Sequence, residues 1–177
     1  MNESSYTLLY IWVLGIVVVL FTGCDDRRTY SHYAPADVER WEQRDTLLFA
    51  VPPQHAGSYV LQLSLRATEA YPFTHLSMFV ERTIFHATAK KGKQPKAPSV
   101  STFLPGQVHG DTVRCQITDD DGHLLGKNGI SSTELSYDLP LLHLQEGDSM
   151  AIKIHHCMKR DPLQGISDVG ITLATAE

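Results

Sequence analysis

Cysteine is scarce: three residues in a chain of 177, too few for a disulfide framework. No Cys-x-x-Cys or His-x-x-x-His spacing gathers a metal site. Glycine-rich phosphate loops, a nucleophile elbow and zinc-protease motifs are also missing. Nothing therefore assembles a catalytic set, and the expectation is a non-enzyme with no cofactor and no metal. A basic excess is lacking as well. Fifteen Lys and Arg stand against twenty Asp and Glu, a net charge of −5, which argues against a nucleic-acid partner. After Cys24 no apolar stripe of helical period and useful length occurs.

The one long apolar run is Tyr6 to Phe21, uncharged and interrupted only by Thr7. It is short of the ~20 residues that comfortably span a bilayer and fits the core of a removed signal. The preceding MNESSY has Glu3 and no Lys or Arg, and no A-x-A cleavage site follows. Leu20-Phe21-Thr22-Gly23-Cys24 instead resembles a bacterial lipobox, in which the cysteine is acylated and becomes the first mature residue. Cys24 is therefore the expected lipidation site, ahead of an uncleaved anchor helix or an ordinary secretory signal. Each buried methylene of an acyl chain contributes roughly 0.8 kcal/mol to membrane attachment. Loss of residues 1–23 removes one acid and no base, leaving a net charge of −4. Roughly 150 residues remain, enough for one domain with a core.

Residues 24–45 read as a charged tether with Pro35, whose exception, Trp41, is of the kind that covers the edge of a core. From 46 to 177 the dominant period is two, the mark of half-buried strands. Tyr59, Leu61, Leu63 and Leu65 share one face. So do Leu76, Met78 and Val80; Val113, Cys115 and Ile117; Met150, Ile152 and Ile154; and Val169, Ile171 and Leu173. Thr46 to Val51 is a more continuous apolar strand. Pro52-Pro53, Ala56-Gly57, Tyr71-Pro72, Asp121-Gly122, Glu146-Gly147-Asp148 and Asp161-Pro162 punctuate these runs. The fold expected is all-β, a single antiparallel sandwich of the jelly-roll or immunoglobulin-like kind. Ala87 to Pro105, rich in Lys and Pro, reads as a long loop, and Gly126 to Asp138 as a second irregular stretch.

Four clusters carry competing readings. Cys115 is in phase with the core and Cys157 is out of phase, so the two should face apart and remain unbridged. Asp119-Asp120-Asp121-Gly122 has consecutive acids rather than the alternating ligands of a calcium loop, and reads as a hairpin turn. His155 and His156 are adjacent on a strand and point to opposite faces, so they read as surface or edge histidines. Lys90, Lys91, Lys93 and Lys96 form a solvated charged loop in preference to an anion site.

Blocks of sequence now point to a family. Trp41, Asp45 and Phe49 precede YVLQLSLR (59–66) and YPFTHLSMFVE (71–81). DTVRCQITDDDGHLLGKNG (111–129) and MKRDPLQGISDVGI (158–171) follow. With the lipobox, their order and spacing resemble the GldH gliding-motility lipoproteins. The resemblance implies an outer-membrane lipoprotein, on either face, tied to gliding motility and its type IX secretion machinery. Its partners would be the membrane, through Cys24, and envelope proteins. The family brings no catalytic residue. Candidate contact residues are Tyr71, Pro72, Arg160, Asp161 and Asp168, although Arg66 and Arg160 also suit structural pairs with an acid such as Asp168. The main rival is a surface glycan-binding module using Tyr59, Phe79 and Tyr137. An enzyme of another type would need a cleft of converging polar groups with a perturbed titrating residue.

Overall fold

A computed structural model describes residues 27–87 and 103–176. Ten strands form in chain order: β1 Arg28–Pro35, β2 Leu47–Val51, β3 Gly57–Ala67, β4 His75–Ala87, β5 Phe103–Gln116, β6 Lys127–Asn128, β7 Thr133–Asp138, β8 Leu142–Leu144, β9 Ser149–His156 and β10 Ile166–Thr175. No helix occurs among the described residues. One sheet has the order β1-β10-β3-β7-β6, with β8 also on β3; the other has the order β2-β9-β4-β5. All the pairings are antiparallel. The sandwich expected from the alternation is therefore present.

The period-two residues fill the space between the sheets. Leu61, Leu63 and Leu65 from the first sheet and Ile152, Ile154, Leu76 and Met78 from the second are each fully buried. At about 1.5–3 kcal/mol for each large apolar side chain, this layer is the main favourable contribution to folding. The outer face of the first sheet is polar instead. Ser31–Thr172, Gln62–Asp138 and Ser64–Ser136 hydrogen-bond across neighbouring strands.

The stretch read as a tether is largely part of the domain. Strand β1 pairs with β10 from Arg28↔Ala174 to Pro35↔Asp168. Its Tyr33 ring lies on Gly170 and under the Arg66 guanidinium, 4.2 Å from the ring centroid. No β1 side chain is fully buried, so the strand leaves no apolar alternation to read. It is held by backbone bonds, by the Tyr33 ring on the outer face, and by Tyr30 and Ala34, which pack against the core from the inner one. Residues 36–45 then cross one end of the sandwich, and Trp41 seals the core there at 1% exposure, as its isolation suggested. Strand β7 lies in the stretch read as irregular, Gly126 to Asp138. Of the Lys/Pro-rich segment, 88–102 lies outside the described residues, as does Cys24. Its borders, Ala87 and Phe103 onward, belong to β4 and β5.

Cys115 is fully buried and Cys157 exposed, both free, as their phases required. Burial pushes the Cys115 thiol up to about 12. A maleimide should therefore label Cys157 in the folded protein and reach Cys115 only in denaturant. Mass spectrometry of tryptic peptides checks this, and native labelling of Cys115 would contradict the packing.

Candidate functional site

Antiparallel pairing gives each sheet two ends, and Trp41, bridged to Leu163 and hydrogen-bonded to His156, ties one end of the first sheet to one end of the second. Arg28, Tyr59 and Leu144 mark the near end, where the chain enters. Pro35, Ala67, Ile166 and His156 mark the far end. All five candidate contact residues lie at or beside the far end.

Two segments distant in sequence meet there. Gly165 takes φ +87° and packs on the Ala70–Tyr71 backbone. Its carbonyl accepts the Thr68 amide at 2.8 Å, and its amide donates to Val38 at 2.8 Å. Tyr71 is a buried support rather than a surface group. It is 5% exposed, its hydroxyl donates to the His75 carbonyl at 2.8 Å, and Phe73 meets its ring edge-on. Burial raises its pKa, with a smaller push from Cys115. Pro72 and Arg160 are exposed, and Arg160 makes no ion pair among the described residues. Asp161 is exposed but engaged, accepting the Gln43 amide at 3.0 Å. Asp168 accepts the Ser167 hydroxyl at 2.8 Å. The expected Arg66–Asp168 alternative is not formed. Arg66 turns to Glu134 at 3.4 Å and to Tyr33, because Glu134 lies opposite it on β7.

Beside these segments lies a cleft of about 880 Å³. Its walls come from the loop after β3 (Thr68, Tyr71), the Asp-Gly hairpin (Thr118, His123) and the β6–β7 loop (Ile130, Ser131). Sequence reasoning missed it, since three separate loops make it. Ile130 is fully exposed at its rim. An isolated Ile between Gly129 and two serines was the available signal. The hairpin itself is the expected turn. The Asp119 carboxylate accepts the amides of Asp121 at 3.0 Å and His123 at 2.8 Å, and these bonds, with His123 beside it, lower its pKa. Asp119, Asp121 and His123 place three ligand-type atoms within 4.8 Å of one another. The turn already accounts for the Asp119 carboxylate.

His156 departs from the surface or edge position expected of it. It continues the buried phase of Met150, Ile152 and Ile154 and is wholly inaccessible. Its Nε2–H donates to the Trp41 carbonyl at 3.0 Å and its Nδ1 accepts the Met158 amide at 3.4 Å. Both nitrogens are satisfied in the neutral ring. Burial lowers its pKa from 6.5; the Trp41 bond and Asp161, 3.7 Å away, oppose the shift. A depressed histidine pKa means the unfolded chain binds the proton first. The stabilising share is complete above the unfolded value of about 6.5 and is lost as pH falls through the lower folded value. Thermal midpoints of the native protein should therefore fall on acidification from about pH 7 to pH 5. His156→Gln, unable to take the proton, should show a shallower fall. Identical slopes would remove His156 from the account.

The three aromatics of the glycan reading do not form an exposed row. Tyr59 is 2% exposed and donates to the His55 carbonyl. Phe79 is half-buried against His155. Tyr137 closes the sandwich edge, its hydroxyl bound to the Gln116 carbonyl of β5.

Comparison with known proteins supplies the class. A family model described as GldH lipoprotein matches residues 28–94 and 100–173. The chain belongs to the GldH lipoprotein family. The match begins at the first residue of β1 and breaks only within the Lys/Pro-rich segment. This GldH-family chain is thereby a lipoprotein associated with gliding motility, a membrane-anchored protein of the envelope. No curated protein matches it. Among solved structures it is similar to dimeric latent PorU from Porphyromonas gingivalis, at 7% identity and TM-score 0.33. That match covers 82% of this chain and 13% of the PorU chain. A structure of infectious bursal disease virus, Gx strain, matches at 9% identity and TM-score 0.14, covering 81% of this chain and 38% of the viral one.

Proposed function

We propose that this GldH-family protein is a non-catalytic interaction component of the gliding-motility and type IX secretion machinery. Acyl chains on Cys24 hold it in the outer membrane, and the far end of the sandwich binds envelope proteins. One observation carries the reading. The Tyr71-Pro72 turn and the Arg160–Asp168 segment, 89 residues apart at Tyr71 and Arg160, are fastened together through Gly165. They sit beside an open cleft and leave Pro72, Arg160 and Ile130 in solvent. Exposed groups on a rigidly supported end suit recognition by shape and charge. Burial of Tyr59 and the dispersed positions of Phe79 and Tyr137 weigh against the glycan alternative.

A photo-crosslinking residue at Arg160 or Ile130 in living cells tests this. Capture of motility or secretion components, lost in Cys24→Ser, is the expected result. Failure to capture any envelope protein, with the purified protein retained on a glycan column, would replace the proposal with the glycan reading.

A further inference from the structure

The start of β1 and the far end are at opposite ends of the domain. Only Asp25, Asp26 and Arg27 separate Cys24 from β1. At ~3.3–3.6 Å per residue, the four steps from Cys24 to Arg28 span at most about 14 Å. Arg28 lies level with Ala174, the Arg27 carbonyl accepts the Thr175 amide, and Ala176 donates to Ser58. Ser58 faces His143 on β8, so this row is the end nearest the lipid. From there β10 runs ten residues to the far end, about 33 Å at ~3.3 Å per residue.

We infer that the domain stands end-on at the lipid surface, with the row from Arg28 to His143 against the headgroups and the cleft end outward. This rests on the reading of Cys24 as the anchor. Among the described residues neither broad face gives a reason to lie flat, which takes an apolar or basic surface. The first sheet is faced with hydrogen-bonded hydroxyl and amide pairs. On the second, exposed Leu48 and Val108 lie on its two edge strands, and the ion pair of Lys153 with Glu81 lies on the strands between them. With so short an arm, the far end reaches no more than about 50 Å from the bilayer. Its partner is therefore a protein held in or on the same membrane, with its contact surface inside that distance.

The native free thiol at the far end provides the probe. Full-length lipoprotein in vesicles is labelled at Cys157 with a fluorophore, and a His143→Cys, Cys157→Ser variant is labelled at the near end. Lipids with nitroxide headgroups, which quench at short range, are then added. The near-end label should lose most of its emission and Cys157 little. Inserting a flexible Gly/Ser linker of ~15 residues after Asp26 should erase the difference. Equal quenching at both sites with the native arm would overturn the end-on orientation, as would stronger quenching at Cys157. Mass spectrometry of the N-terminal peptide separates the two readings. A Cys24 without acyl chains defeats the anchor, and the orientation with it. An acylated Cys24 with equal quenching defeats the orientation alone.

Discussion

Replacing Trp41 by alanine is expected to cost about 3–5 kcal/mol of folding stability. The indole is 1% exposed, its N–H donates to the Asp45 carbonyl at 3.0 Å, and its ring meets His156 edge-on at 5.1 Å. Its backbone exchanges two hydrogen bonds with Leu163, at 2.9 and 2.8 Å. Truncation opens a cavity where the crossing segment, β9 and the loop before β10 converge, and those backbone bonds resist the collapse that would refill it. Urea unfolding should be followed by circular dichroism, because Trp41 is itself the domain's fluorophore. Arg40→Ala, at an exposed neighbour, should change stability by no more than about 0.5 kcal/mol. A loss below about 1 kcal/mol for Trp41→Ala would mean that residues 36–45 are not part of the cooperative unit.

Gly165→Ala should cost about 2–4 kcal/mol, the sum of backbone strain and overpacking. At φ +87° a Cβ would lie 2.3 Å from the Tyr71 nitrogen and 2.5 Å from its Cα. Those are backbone atoms with no rotamer to yield. Gly122 is the matched control, with the same φ of +87° and nothing within 4 Å of its Cβ. Gly122→Ala therefore incurs the conformational term alone, about 1–2 kcal/mol. Hydrogen exchange should locate the difference. Gly165→Ala should loosen residues 68–73 and 158–165 while the centres of β3 and β10 stay protected. Equal costs for the two variants would show that the turn and the loop are not pressed together.

The legible parts of the fold are those where burial alternates. Strands β2, β3, β4, β9 and β10 each set large apolar residues on one face, and each was found within a few residues of its bounds, except that β4 runs on to Ala87. Strand β1 was illegible because only Tyr30 and Ala34 of its inward side chains are apolar, the residue between them is His32, and none of its side chains is fully buried. Strand β7 buries only Thr133 and Leu135 fully, too few to show a period. The burial of His156 was legible, since it extends the phase of Ile152 and Ile154. At the far end, Tyr71 and the 160–168 segment were found as blocks of sequence. Their contact through Gly165 was not, and neither was the cleft, because no local pattern encodes how three loops converge.

The pairing of β1 with β10 has a consequence in time. Thr29 bonds to Leu173, 144 residues later. Synthesis delivers β1 well before its partner. Until residues 166–175 arrive, both β1 and the adjoining edge of β3 lack the strand that lies between them. Closing so long a loop is entropically costly and slow. Any sheet formed before β10 docks therefore carries two open strand edges, and unpaired edges recruit other chains. Residues 166–175 act as the clasp that closes both edges.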